Sequence, residues 1–353
     1  MKTYFITIFV AYVQLVVAQN PILLKDYDPV SIYKSTKTSI KKAKFPIIDM
    51  HSHPYAMSEI DIDVWVKTMD KKGVQKTIIL TYQTGKAFDS IYAMYAKYPN
   101  RFDIWCGFDF TGYDQKGWSK KAVKELERCY KVGAKGVGEL GDKGEGLLYC
   151  KPTPAYGMHI NDIRMKPLIK KCGELNMPIN IHVAEPYWMY LPADVHNDGL
   201  MNAKTWGIDT TKANMLSHQE LINTLEQAVK ENPKTTFIAC HFANCSHDLS
   251  IIGNLLETYD NLYADISARY AETAPVPRYT KAFYQKYQHK LLYGTDMGMK
   301  SSMYDVTLRI LETEDEHFYE KELFNYHWSL YGLGLEDTIL KKIYHENAKK
   351  IIE

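Results

Sequence analysis

Pro46-Ile47-Ile48-Asp49-Met50-His51-Ser52-His53 is an apolar run that ends in two histidines one residue apart. Side chains alternate between the two faces of a strand, so His51 and His53 point the same way and their imidazoles converge. Two nitrogens aimed at one point suggest a metal. Alone the pattern is weak, because two polar residues can simply close a strand. The rest of the chain has to decide.

From Phe45 onward, short apolar runs alternate with segments of helical period, the pattern of repeated strand-helix units around a parallel sheet. The runs are Pro46 to Met50, Lys76 to Leu80, Phe102 to Phe108, Lys135 to Glu139, Pro178 to Val183, Thr236 to His241, Leu262 to Asp265 and Leu291 to Asp296. Between them lie stripes such as Ile62, Trp65, Val66 and Met69, and Ser217 to Glu220 resembles a capping box. Eight such units predict an α/β fold, a (β/α)8 TIM barrel over residues 45–353, with its chemistry where the strands end. Two connections, 141–164 after the fourth strand and 184–216 after the fifth, are longer than a barrel needs. Both leave from the functional face. The second carries Tyr187, Trp188, Tyr190 and Trp206, which either wall in a substrate or hold the loop down on the barrel.

The strand ends share one feature. His51 and His53 follow the first, Glu139 the fourth, His182 lies in the fifth, His241 follows the sixth and Asp296 the eighth. All are metal-ligand types at the carboxyl ends of otherwise apolar runs. Buried ionisable groups are costly unless they are paired or hold an ion, so chance does not account for the set. Other histidines, among them His159, His218 and His247, have no partner at ligand spacing and read as surface or structural.

With these residues in place the chain resembles the amidohydrolase superfamily, in the amidohydrolase-related branch that also contains decarboxylases of aromatic and enol acids. The resemblance is carried by Ile48-Asp49-Met50-His51-Ser52-His53, Gly136-Val137-Gly138-Glu139, Ile181-His182, His241-Phe242, Gly294-Thr295-Asp296 and the closing Tyr344 to Ala348. It implies a metallo-dependent hydrolase type of barrel in which His51, His53 and His182 bind a divalent metal. Asp296 is then a further ligand or the base for water, and His241 is a second-metal ligand or a catalytic acid/base. Glu139 either bridges two ions or orients a liganding histidine, which leaves one ion or two. Nitrogen and carboxylate donors without thiolate suit zinc first, with manganese, iron and nickel as alternatives. Arg269, four residues past Asp265, is a candidate to hold a substrate carboxylate, or else pairs with Glu272 at the rim. Tyr187 and Trp188 are the loop's candidates for substrate contact. Tyr82 and Asp109 are weaker ones.

The two ends and the composition bound the setting. Met1-Lys2 followed by apolar Phe5 to Val17 and the small residue Ala18 describes a secretory signal peptide over residues 1–18. Thirteen apolar residues at about 1.5 Å each do not comfortably cross a hydrocarbon layer about 30 Å thick, so stable membrane insertion is not expected. Export to a periplasm or the medium is. Residues 19–44 are lysine-rich and without period, a lead-in to the barrel. A formal net charge of +1 gives no support for a nucleic-acid partner. Six cysteines permit disulfides, but Cys106, Cys129, Cys172 and Cys240 sit in apolar runs or stripes where thiols act as small hydrophobes. Homo-oligomerisation stays open.

Three functions compete. The first is a metal-dependent hydrolase acting on an amide, ester or lactone of a small-molecule substrate, with Asp296 moving the proton. The second is a non-oxidative decarboxylase with one metal. The third is a binding protein on a retired barrel, which would be expected to have lost at least one of the six groups.

Overall fold

Strand β1 (Ile47–Ser52) is buried along its whole length, as a parallel strand covered on both faces must be. The computed structural model describes residues 22–201, 207–324 and 326–353. The signal-peptide segment and Trp206 lie outside the described residues. After β1 come β2 (Val74–Leu80), β3 (Phe102–Trp105), β4 (Val137–Asp142), a short pair β5 (Gly146–Leu147) and β6 (Ala155–Tyr156), then β7 (Ile179–Val183), β8 (Phe237–Ala239), β9 (Leu262–Asp265) and β10 (Leu291–Leu292).

Parallel pairing runs β1-β2-β3 in one sheet and β4-β7-β8-β9-β10 in the other, with β5 and β6 an antiparallel extension of β4. Backbone hydrogen bonds join both seams. Cys106 N donates to the Gly136 carbonyl and Gly138 N to that of Cys106, linking β3 to β4. Met50 N donates to the Tyr293 carbonyl and Asp296 N to that of His51, linking β1 to the segment after β10. Eight parallel strands therefore ring the core, the (β/α)8 architecture expected of the apolar runs.

The expected helical stripes face inward: Ile62, Trp65, Val66 and Met69 are the buried side of helix Glu59–Lys72. Ser217 and Glu220 form a reciprocal capping box at the start of helix His218–Glu231. Residues 22–44 contain only one short turn of helix and are tied down by Thr38, whose backbone N and Oγ1 both donate to Asp315 at 2.7 Å. All six cysteines are buried and unpaired. No helix among the described residues is long and apolar enough to cross a membrane.

Three strands are shorter than the apolar runs suggest, β3 ending at Trp105 within the run Phe102 to Phe108. The run Thr236 to His241 stops pairing at Ala239, and the run Leu291 to Asp296 at Leu292. Beyond β8 the chain makes a left-handed turn, with φ of 57°, 55°, 52° and 56° at His241, Phe242, Ala243 and Asn244. Such angles disfavour residues with a Cβ, so the turn needs outside support. Asn244 supplies it: its buried side-chain amide donates to the carbonyls of Val183 and Ala184, at 3.0 and 3.2 Å.

Candidate metal centre

The turn after β8 swings His241 toward the barrel axis, where it meets the ends of β1, β4 and β7. His51 and His53 come from β1 and the residue just past it, Glu139 from within β4, His182 from β7, and Asp296 from the segment that bonds back to β1. Asp296 sits at φ 65°, held by its own N–H on the His51 carbonyl and by the Tyr55 hydroxyl, which donates to its carbonyl at 2.7 Å.

Three of the four histidines are fixed through Nδ1. His51 Nδ1 donates to Asp265 Oδ2 at 2.9 Å, His53 Nδ1 to the Leu80 carbonyl at 2.9 Å, and His241 Nδ1 to the Ser267 carbonyl at 2.8 Å. Each such bond sets the tautomer and leaves an Nε2 lone pair directed inward, the usual preparation of a histidine that ligates metal. His182 is turned the other way. Its Nδ1 lies 2.9 Å from Glu139 Oε1, and its Nε2 faces Glu185 Oε2 at 3.6 Å. Nε2 of both His51 and His182 is buried with no hydrogen-bond partner.

Glu139 stands in the middle. Its Oε1 lies 3.8 Å from His51 Nε2 and 3.4 Å from His241 Nε2, and its Oε2 lies 3.4 Å from His53 Nε2. Asp296 Oδ1 is 3.1 Å from His53 Nε2 and 3.7 Å from that of His51. Two trios of ligand atoms, His51-His53-Glu139 and Glu139-His182-His241, each fall within 4.8 Å of one another and share the glutamate.

The electrostatics show what the cluster lacks. Burial opposes a charge on His51, yet Asp265, Glu139 and Asp296 together push its pKa up to about 10. His182 rises to about 9, since Glu185 and Glu139 outweigh its burial. Burial should likewise raise Asp296, but the hydrogen bond with His53 and the charges of His51 and His53 hold it well below the usual carboxylate range. Carboxylates that force protons onto buried imidazoles mark a site short of positive charge. A divalent cation would meet that need in the protons' place, and the orphaned Nε2 atom of His51 fits it.

A cavity of about 450 Å³ opens onto this cluster, lined by His53, Glu139, His182, His241 and Asp296. Arg269 is on its wall, as its place beyond β9 suggested, and is buried; Glu272 lies 3.8 Å away, too far for a hydrogen bond. Tyr187 and Trp188, the loop's candidates, do not line it. Tyr187 stacks on His247 with ring centroids 4.4 Å apart, and the Trp188 ring packs where a Cβ on Gly199 would be. Tyr187 thus packs on the segment after β8 and Trp188 within the loop itself, and the loop's contribution to the cavity is Glu185, Met189, Gly207 and Ile208. A larger groove of about 660 Å³, between the lead-in and residues 316–322, contains none of the six strand-end groups.

Several functional neighbours escaped sequence reasoning. Asp265 accepts from His51 Nδ1, His241 N and Ser267 N, and Ser267 Oγ also donates to it. Its signal was the same as that of the six, an acidic residue closing an apolar strand. Glu185 and Lys143, which pair at the mouth, carried no signal beyond proximity to His182 and Glu139. His159, read as bland, pairs with buried Asp142 at 2.6 Å.

The model of the Amidohydrolase family matches residues 47–352. No curated protein sequence is similar enough to count as a relative. Solved structures do share the fold. A TIM-barrel protein from Bordetella bronchiseptica is 14% identical, with 87% of this chain and 98% of its own covered and a TM-score of 0.53. A 2,6-dihydroxybenzoate decarboxylase from Rhizobium is 15% identical, with 87% and 98% covered and a TM-score of 0.54. A dihydroxybenzoic acid decarboxylase from Polaromonas, with bound manganese and the inhibitor 2-nitroresorcinol, is also 15% identical, with 87% and 97% covered and a TM-score of 0.54. Identities this low carry the barrel and nothing finer.

Proposed function

The chain belongs to the Amidohydrolase family, and from that premise we propose that it is a divalent-metal-dependent hydrolase that cleaves an ester, lactone or amide bond of a small molecule at the strand ends. The observation that supports this most directly is the position of Glu139, a single carboxylate within reach of two histidine pairs, His51-His53 and His182-His241. In this reading His51, His53 and Asp296 would hold one ion, His182 and His241 a second, and Glu139 both. Divalent ions at such a site polarise a carbonyl oxygen and acidify water.

The chain's own residues do the remainder. Asp296, ionised at neutral pH, takes the proton of the attacking water and passes it to the leaving group. Asp265, the Leu80 carbonyl and the Ser267 carbonyl keep three imidazoles from turning while charge moves. The loop after β7 lines one side of the cavity through Glu185, Met189, Gly207 and Ile208.

A second reading is favoured by the solved neighbours, most of which are decarboxylases, several with manganese. With a single ion the same site would replace a carboxyl group of an aromatic or enol acid by a proton delivered from His241 or Asp296. Zinc fits the donor set and manganese is what the Polaromonas enzyme carries, so either ion is compatible with the proposal.

One isotope experiment separates the readings. Metal-loaded protein is incubated with esters, lactones, N-acyl amino acids and hydroxybenzoates in ¹⁸O-labelled water and in D2O. Hydrolysis places ¹⁸O in the product acid, whereas decarboxylation releases carbon dioxide and places deuterium on the carbon that lost it. Full turnover by metal-stripped protein would remove both readings. Export belongs to the proposal too: amino-terminal sequencing of the mature protein should begin at Gln19.

A further inference from the structure

We propose that Arg269 and Lys143 form a carboxylate-binding subsite on the cavity wall, so that the substrate carries a free carboxylate apart from the bond that is broken. This rests on reading the strand-end cluster as the reacting centre. The subsite's own evidence is a buried cation whose donors are not used up.

Arg269 is only 8% exposed and faces the cavity. A guanidinium has five N–H donors. Nε donates to Asn244 Oδ1 at 2.8 Å and Nη1 to the Ala268 carbonyl at 3.3 Å. Nη2 makes no hydrogen bond to any described residue. The two carboxylates near it stand off: Glu185 Oε2 is 3.8 Å from Nη2, and Glu272 Oε1 is 3.8 Å from Nη1. Those distances make ion pairs but not hydrogen bonds, so Nη2 keeps its N–H donors for whatever occupies the cavity.

Each carboxylate is held by one oxygen to another partner. Glu185 Oε1 is taken by Lys143 Nζ, and its Oε2 also faces His182 Nε2. Glu272 Oε1 accepts from the Tyr326 hydroxyl at 2.8 Å. Nor can Arg269 swing over to them. Asn244, fully buried, is anchored by its own amide to the end of β7, so its Oδ1 is a fixed post that aims the guanidinium. The left-handed turn that presents His241 thus also orients Arg269.

Lys143 stands on the other side of Glu185, its Nζ 5.2 Å over the Tyr149 ring and its side chain 39% exposed. An incoming carboxylate would take two N–H donors from Arg269 and the nearby charge of Lys143, the forked geometry that a planar two-oxygen anion fills and a neutral amide does not. Tyr149, Tyr326, Met189 and Ile208 continue the wall and suit a ring attached to that carboxylate.

Calorimetric titration of the metal-loaded protein with benzoate and with benzamide tests the subsite. Benzoate should bind about ten-fold tighter or more, the scale of hydrogen bonds to a charged group. Arg269→Gln should lose about ten-fold in benzoate affinity and Lys143→Met about three-fold, with metal content unchanged. His53→Ala, which removes a proposed metal ligand, should keep benzoate affinity within about three-fold. Retained affinity in Arg269→Gln with loss in His53→Ala would put the carboxylate on the ion and overturn the subsite. Equal affinity of the native protein for benzoate and benzamide overturns it without any variant, which covers the case that Arg269→Gln does not fold. Protein that takes up no divalent metal and yet prefers benzoate would sink the hydrolase reading and leave the subsite standing.

Discussion

Glu139 and His182 meet across the neighbouring strands β4 and β7, with Oε1 2.9 Å from Nδ1, and the same oxygen lies 3.4 Å from His241 Nε2. A carboxylate so placed is either a shared ligand or a prop for one imidazole. As a shared ligand its loss costs a whole ion, so Glu139→Gln should take metal content from two per chain to one, with turnover down about a hundred-fold or more. Elemental analysis beside kcat checks this; unchanged metal in the variant would reduce Glu139 to a prop.

Asp265 is buried behind His51 and is not itself aimed at the cavity, which makes it a test of the positioning argument. Asp265→Asn keeps the size but cannot accept from His51 as a charge. Metal affinity, measured by competition with a chromophoric chelator, should fall about 10- to 100-fold. Unchanged affinity would mean that His51 needs no orienting partner or binds no metal.

Removal of the ions should silence the enzyme and loosen it. Dialysis against chelator is expected to abolish turnover, with recovery on adding Zn²⁺ or Mn²⁺, and to lower the melting temperature, because a ligand of the folded state stabilises it by mass action. His51→Ala and His182→Ala should lose both metal and activity, and addition of ion should not rescue them.

His159 holds the turn between β4 and β5 through Asp142, whose Oδ1 also accepts from Gly144 N and Gly146 N. Burial lowers the imidazole's pKa, but the hydrogen bond and charge of Asp142 outweigh it and the net shift is upward. A raised folded value means stabilisation that is fully present below the unfolded value of about 6.5 and is lost as pH rises through the folded one. The melting-temperature gap between the native protein and His159→Gln should therefore be widest below the unfolded value of about 6.5 and shrink as pH rises above it. A gap that widens with pH would contradict the pair.

Gly136 marks where β4 passes the Trp105 ring: a Cβ there would lie 2.4 Å from it. Since the ring is fully buried, Gly136→Ala should cost about 1–3 kcal/mol in urea unfolding. A neutral result would require the tryptophan to shift without penalty.

Much of the barrel was legible before any coordinates. Runs such as Ile78 to Leu80 and Phe237 to Ala239 are apolar because a parallel strand is covered on both faces, and that demand acts on each strand separately. His51, His53, Glu139, His182, His241 and Asp296 were legible for a similar reason, as ionisable groups closing apolar runs. The strand limits at Ala239 and Leu292 were not, since an apolar run does not say where pairing stops and a left-handed turn begins. Tyr187 and Trp188 were ambiguous in the sequence because a large aromatic suits a substrate wall and a loop anchor equally well, and the structure places neither on the cavity lining.

The amino-acid sequence by itself determined the order of strands and helices, the family and the residue types gathered at the strand ends. Only the tertiary structure decided which nitrogen of each histidine faces inward, that Asp265 rather than another acid backs His51 from 214 positions away, and that Asn244 aims Arg269. Burial patterns are written locally, along each element. Hydrogen-bond partners across the barrel exist only once closure brings distant segments to within 3 Å of one another, and no local pattern encodes that distance.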